Sequence, residues 1–342
     1  MTPRWSPFHL RLHRLLLHRP QLLPQAAPLL LAVSGGQDSI AMTGLLLDLR
    51  RLHGWSLQLW HGDHGWRPES GEQARELAAW AEDQGLTISV ERWARNEAHL
   101  GMPGGAMSEA GAREWRYGCL EREARRVGAT HVLTGHTASD RAETLLLHLA
   151  RGSHRRGLGS LQSQRELAPG VTLVRPLLSF SRADTAAICS ELDLPIWEDS
   201  SNSDPRFSRN RVRQEVMPVL EALHPGASRR LAATAERLEE ESDTEVELIE
   251  LALQGLVVAD QATASHGTSG ALNRPSLVAQ SPANQRRLLQ HWCRTRSGQT
   301  LAARQLELLL QRLAERQPPG AMHLAAGWQL HWDRSTLQLE QR

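Results

Sequence analysis

Leu29-Leu30-Leu31-Ala32-Val33-Ser34-Gly35-Gly36-Gln37-Asp38-Ser39 is the stretch on which the fold turns. Five apolar residues without polar alternation read as a strand buried on both faces, the mark of a parallel sheet. The glycines that follow punctuate it, and a helical pattern begins at once, from Ser39 to about His53. Outward from this junction the two periods alternate. Strands read at 56–61, 86–92, 131–135 and 173–176. Helices read at 8–23, 70–84, 107–127, 140–150 and 182–192. Strands separated by helices of ten or more residues imply an α/β fold, a parallel sheet with helices on both faces. In such sheets ligands sit outside the carboxyl ends of the strands.

The loop itself carries chemistry. Gly35 and Gly36 let the backbone turn tightly and present successive N–H groups to an anion, and the following helix aims its positive end at the same point. Ser34 and Ser39 add hydroxyls. Asp38 would repel a bare phosphate, so its place here makes sense if Mg²⁺ bridges the two. No GK[ST] follows, so this is not a Walker A loop. An Asp/Ser cap on an ordinary helix would use similar letters.

The 342 residues suggest two domains. Three widely spaced cysteines argue against a disulfide framework or a zinc site and fit a reducing, cytoplasmic setting. No apolar run is long enough to span a membrane. The formal net charge of +1 singles out no partner, yet every fixed cation is arginine, because the chain contains no lysine. Beyond residue 209 the pattern is helical to 254, residues 255–283 read as loops, and 327–339 alternates like a hairpin. Residues 221–250 hold nine acids and three arginines, a solvated face, whereas 274–316 holds eight arginines and two acids. We place the boundary so that 1–215 forms a catalytic domain and 216–342 a smaller, mainly helical one with a terminal β-hairpin.

Other constellations have a functional and a plain reading. Asp140 and Glu143 share a face at a helix start, beside His136 at a strand end; they can hold a cation, or simply complement the helix dipole. Glu109, Arg113, Arg116 and Tyr117 lie at helical spacing. His61 and His64 follow the second strand and suit hydrogen bonding around a nucleotide. Arg206, Arg209, Arg211 and Arg213, with Arg286 and Arg287 farther on, suit RNA phosphates. Trp66 and Trp115 are candidates for base stacking.

The hexapeptide Ser34–Ser39 resembles the PP-loop of N-type ATP pyrophosphatases, the adenine nucleotide α-hydrolase-like superfamily. Further segments narrow the resemblance to the tRNA(Ile)-lysidine synthetase family: His61–Ser70, Thr134-Gly135-His136, Asp140–Thr144, Arg151-Gly152-Ser153, Arg175-Pro176-Leu177-Leu178, Asp199–Asn202 and Arg209–Arg213. Arg141 stands where that family usually has glutamine. The resemblance implies an ATP- and Mg²⁺-dependent ligase that adenylates C2 of cytidine 34 in a CAU-anticodon tRNA(Ile). Free L-lysine would then join there, releasing AMP. It implies nucleotide contacts from Ser34, Gly35, Gly36, Gln37, Asp38, Ser39, His61, His64, Gly135 and His136. Asp38 would hold the metal, and Asp38, Arg113, Asp140 and Glu143 would carry catalysis. A homodimer is compatible with the reading. The competing readings are an RNA thiolase on the same fold and a non-catalytic RNA-binding relative.

Overall fold

Leu29 and Leu31 point to one face of their strand and Leu30 to the other, as the two-residue pleat requires, and all three are fully buried. The computed structural model describes residues 5–65, 69–93, 109–153, 155–159, 161–197, 208–258, 270–314 and 317–341. Two compact units divide them, Met1–Glu239 and Glu240–Arg342.

In the first unit α1 (Pro7–His18) leads to β1 (Pro28–Ala32), α2 (Gln37–His53), β2 (Ser56–Asp63), α3 (Ser70–Asp83), β3 (Thr87–Arg92), α4 (Glu109–Val127), β4 (His131–Thr134) and α5 (Ala138–Ala150). A short α6 (Arg155–Leu158), β5 (Gln164–Ala168), β6 (Val171–Val174) and α7 (Arg182–Glu191) follow. Next come α8 (Ser208–Arg211), a π-helical turn (Val212–Val216), α9 (Met217–Leu223) and the long α10 (Ala227–Leu256), within which the two units divide.

The sheet order is β3-β2-β1-β4-β6-β5. β1 pairs in parallel with β2 (Leu31↔Leu59) and with β4 (Leu31↔Leu133), and β2–β3 and β4–β6 are parallel as well. β5 runs antiparallel to β6. The parallel sheet expected from the sequence is thus present, with an antiparallel hairpin added at one edge. Gln164–Ala168 mixes charged and apolar residues without strict alternation, which hid this strand from a periodicity reading. One face of the sheet buries Leu29, Leu31, Leu45, Leu49 and Phe180; the other buries Leu30, Trp60, Leu120 and Leu173. Truncating a fully buried leucine such as Leu30 to alanine costs about 2–5 kcal/mol.

From β1 the chain goes first to one side of the sheet, through β2 and β3, and then to the other, through β4. The topological switch point thus lies between β1 and β4, where their carboxyl ends leave a crevice.

In the second unit β7 (Leu272–Asn273), α11 (Arg274–Val278), α12 (Pro282–Ser297) and α13 (Ala303–Leu313) precede β8 (Gly320–His323), β9 (Trp328–Trp332) and β10 (Thr336–Gln341). The alternation at 327–339 becomes the antiparallel pair β9–β10, and β7 and β8 extend it to four strands in the order β7-β10-β9-β8. Leu272, Leu289, Trp292, Leu309, Leu330 and Leu337 form its core. Buried Arg274 donates to the carbonyls of Leu313, Ala314 and Gln317, closing the end of α13.

Candidate active site at the switch point

The loop after β1 is held by its own side chains. Gly35 sits at φ +88°, a backbone conformation that a side chain would strain. The Ser39 hydroxyl donates to Gly36 O (2.9 Å) and accepts from Ser34 N (3.2 Å), and the Ser34 and Ser39 hydroxyls lie 3.2 Å apart. The two serines thus brace each other as well as facing the crevice. In the first turn of α2 the Ser39 and Ile40 amides bond Gly36 O, both at 3.1 Å, and the start of a helix, with its positive dipole end, favours an anion. Across the switch point Gly135 follows β4. A Cβ there would lie 2.8 Å from both Ser39 N and Ser39 Cα and 2.9 Å from the Asp38 carbonyl carbon. Only glycine lets these backbones approach so closely.

The Gln37 side chain, expected at the nucleotide, turns instead to α7. It donates to Arg182 O and Thr185 Oγ1, both at 2.7 Å. Thr185 Oγ1 lies 2.5 Å from Asp38 Oδ1, fixing the carboxylate at the helix start. Burial raises the Asp38 pKa; the Thr185 bond opposes that, Asp140 adds to it, and Arg182 and Arg213 oppose it.

His61 donates from Nδ1 to Val33 O (2.8 Å), and burial lowers its pKa, so it is neutral and Nε2 remains an acceptor. His64 lies 3.3 Å from Arg116 Nη2 and packs edge-on against Trp115, which is itself stacked on Trp93. Trp115 is therefore part of a tryptophan cluster. His136 is bonded to Thr134 Oγ1 (2.9 Å), and burial drives its pKa far below the histidine range.

Asp140 and Glu143 do share one face of α5, but they face arginines. Thr137 N and Oγ1 donate to Asp140 Oδ2 at 2.8 and 2.9 Å, capping the helix. Arg209 bonds Asp140 Oδ1 (3.1 Å) and Glu143 Oε2 (3.0 Å). Arg213 bonds Glu143 Oε1 (2.7 Å) and Oε2 (2.9 Å), and its Nη2 lies 3.4 Å from Asp140 Oδ1. Burial alone would raise the Asp140 pKa, yet Arg209, His136, the Thr137 amide and Arg213 outweigh it and hold the carboxyl at about 2.

A cleft of about 390 Å³ runs over the loop, His61, His64, Gly135, His136, Asp140 and Arg213, with Glu143 and Arg209 behind its lining. Arg182 and Trp197 also line it. Neither stood out in the sequence, and nothing in the local pattern around Thr185 announces its role. Arg113 lies over the Tyr117 ring instead, at 5.2 Å. Arg211 pairs with Glu215 on the surface, Arg286 with Glu307 and Arg287 with Glu245. Arg206, Trp66 and the segment 199–202 lie outside the described residues, as does the Glu109 side chain.

Among the described residues no three acidic or histidine side chains converge as a metal cage. Asp38 offers one hard carboxylate oxygen beside the loop, which suits Mg²⁺, an ion that takes one or two carboxylates and fills its remaining positions with phosphate and water.

A family model for the PP-loop domain matches residues 8–220, and one for the TilS substrate binding domain matches residues 272–338. The chain is 49% identical to a tRNA(Ile)-lysidine synthase of Parasynechococcus marenigrum, over 98% of this chain and 95% of that protein. It is 38% identical to a tRNA(Ile)-lysidine synthase of Prochlorococcus marinus, over 98% of this chain and 96% of that protein. Among solved structures, the U34-tRNA thiolase NcsA of Methanococcus maripaludis superposes with a TM-score of 0.56 at 19% identity, covering 68% of this chain and 78% of that one, a likeness of fold.

Proposed function

Because the chain belongs to the tRNA(Ile)-lysidine synthase family, we propose that it forms lysidine at cytidine 34 of a CAU-anticodon tRNA(Ile), turning an AUG reader into an AUA reader. The reaction joins a C–N bond in two steps. Attack of the C2 oxygen on the α-phosphate of ATP releases pyrophosphate, and the amine of free L-lysine then displaces AMP. The observation that carries this reading is the loop at the switch point, fused to β4 through Gly135 and sharing one cleft with His136 and Asp140.

A carbonyl oxygen is a poor leaving group until it is esterified to phosphate. The amides at the start of α2 bind the oxyanions of the departing pyrophosphate, where preorganised donors are worth most. Asp38 would hold Mg²⁺, which supplies charge neutralisation at the phosphates. Neutral His61 presents Nε2 as an acceptor to the nucleotide.

The lysine amine has a pKa near 10.4 and arrives protonated. Asp140 and Glu143 give an ammonium group an anionic seat. A carboxylate held at about 2 is a weak base, so Asp140 orients the amine better than it takes its proton. In the free chain Arg209 and Arg213 fill that seat.

Thiolation is disfavoured by the cysteines. Cys119, Cys189 and Cys293 are buried, and burial pushes their thiols up to about 12, 11 and 12, which suppresses the thiolate that sulfur chemistry needs. We further propose residues 1–215 as the catalytic domain, 216–342 as the tRNA-binding one with Arg286 and Arg287 on its basic face, and a cytoplasmic location. No helix among the described residues is long and apolar enough to cross a membrane.

The test is incubation with ATP, Mg²⁺, labelled L-lysine and each of two CAU-anticodon tRNAs, those for isoleucine and methionine, followed by nucleoside analysis. Labelled lysidine in the isoleucine tRNA alone is expected. ATP turnover with no labelled nucleoside would refute the assignment.

A further inference from the structure

The peptide between Gly35 and Gly36 is held at both ends, and one of its holders lies far away in sequence. Gly35 O accepts from Trp197 N at 3.0 Å, and Gly36 N donates to Ser34 Oγ at 3.3 Å. A trans peptide points its carbonyl and its N–H in opposite directions. Anchoring the Gly35 carbonyl on Trp197 therefore turns the Gly36 N–H toward the side of the loop that carries the Ser34 hydroxyl. Ser34, Gly35, Gly36 and Trp197 all line the cleft. A peptide flanked by two glycines can turn over at little steric cost, because the change falls on ψ of Gly35 and φ of Gly36. Turned over, it would present a carbonyl to an anion in place of an N–H.

Trp197 is itself fixed from three directions. The segment leading to it leaves α7 through Asp193, at φ +51°, and Leu194 N donates to Cys189 O at 2.9 Å. Leu194 then seats in a notch of α2 at Gly44, where a Cβ would lie 2.6 Å from Leu194 Cδ1. Pro195 stiffens the run. The indole lies against Gly35: Trp197 Cβ and Cε3 are 3.4 and 3.6 Å from where a Gly35 Cβ would stand. The third hold comes from α3. Trp197 Nε1 donates to Glu76 Oε2 at 2.8 Å, and the ring meets Trp80 edge-on with centroids 6.3 Å apart. Glu76 and Trp80 are neighbours on one face of that helix, and neither belongs to the cleft lining.

We propose that Trp197 is a positioning residue for the loop: tethered to Glu76, it holds the Gly35–Gly36 peptide with its N–H toward the phosphates of the bound nucleotide. In the free chain the Ser34 hydroxyl takes that N–H at a length on which a charged phosphate oxygen improves. The inference rests on the proposed function only in taking this loop as the phosphate site; lysine and RNA play no part in it.

Binding of Mg²⁺–ATP and of inorganic pyrophosphate to the full chain is measured by calorimetry, without tRNA. Trp197→Phe keeps a ring against Gly35 and the backbone amide but deletes the Nε1 donor, and Glu76→Ala deletes the acceptor. Each is expected to raise both Kd values by the same factor, about three- to tenfold, the net worth of one hydrogen bond. The two changes together should be no worse than either alone. Glu76→Gln, which keeps a carbonyl oxygen for the indole, should bind like the wild type. A rise for ATP alone overturns the proposal, since it places Trp197 on the nucleoside. Unchanged values for both ligands overturn it, as does Glu76→Gln behaving like Glu76→Ala.

A second readout follows the peptide itself and needs no substitution. In a ¹⁵N-labelled wild-type chain the Gly36 amide signal should shift when pyrophosphate is added; a static signal overturns the proposal. A wild-type chain that binds neither ligand would sink the phosphate site and this inference together, whereas binding of both without lysidine formation would sink the reaction alone.

Discussion

Arg141, buried on α5, sets up a measurable stability effect. It is 3% exposed, and its Nη2 lies 2.6 Å from Glu239 Oε2, whose own side chain is 8% exposed. Arg141 also donates to Leu161 O from Nε and Nη2, at 3.2 and 3.1 Å, while Glu239 Oε1 accepts from Ser163 N at 2.9 Å. The pair therefore ties α5, which carries Asp140 and Glu143, to α10. Replacing Glu239 by alanine takes the nearest carboxylate from the buried guanidinium, and Glu236 at 3.9 Å is 40% exposed and poorly placed to substitute. Removing one partner of a buried pair costs about 3–5 kcal/mol. For a unit of this size each kcal/mol moves the melting temperature by about 2–4 °C, so Glu239→Ala should lower it by about 6–20 °C in calorimetry. Arg141→Gln combined with Glu239→Gln swaps the charges for neutral amides and should regain most of the loss, since replacing both partners is often close to neutral. A Glu239→Ala melt within 2 °C of wild type (about 1 kcal/mol or less), or a double variant as unstable as the summed single changes, would show that the pair is not coupled as described.

Asp38→Asn should abolish ATP–pyrophosphate exchange while raising stability at neutral pH. Its folded pKa is raised by burial, so stability falls as pH rises from the unfolded value through the folded one, and asparagine removes that loss; an Asp38→Asn chain that melts lower than wild type refutes the sign. Thr185→Val deletes the bond that favours the Asp38 carboxylate, and the acid limb of the exchange pH profile should move to higher pH; an unmoved limb means that Asp38 does not control it. Gly135→Ala forces the end of β4 away from Ser39, and exchange should drop at least tenfold, about 1.4 kcal/mol in the barrier, in a chain whose circular dichroism is unaltered. Arg286→Ala with Arg287→Ala should weaken tRNA binding and make its salt dependence shallower; identical binding at every salt concentration would mark this surface as merely solvated.

Most of the first unit was legible because long-range order there follows local pattern. Leu29–Val33 can only be a strand buried on both faces, and 70–84 or 140–150 can only bury one helical stripe. The strand at 164–168 was missed because its exposed edge face relaxes the alternation. At the site, Gly135 and Asp38 could be nominated from the sequence, since glycine at a strand end and an acid at a helix start have direct physical meanings. What could not be read were pairings across long separations. No local signal says that Gln37 will reach α7, that Thr185 will bond Asp38, or that Arg209 and Arg213 will close on Asp140 and Glu143. Those contacts are decided by how helices cover the sheet.

The arginine–carboxylate knot on α5 bears on how RNA binding by this protein is counted. A salt titration counts the cations that leave the RNA when arginines neutralise its phosphates, less any the protein takes up. Arg209 and Arg213 already hold Asp140 and Glu143; were they to trade those carboxylates for phosphates, the freed carboxylates would take up cations as the RNA gave them up, and the slope would change less than the contacts made. In that case the number of phosphates inferred from ionic strength would fall short of the number in the complex, and the shortfall would measure how many guanidiniums changed partners on the way in.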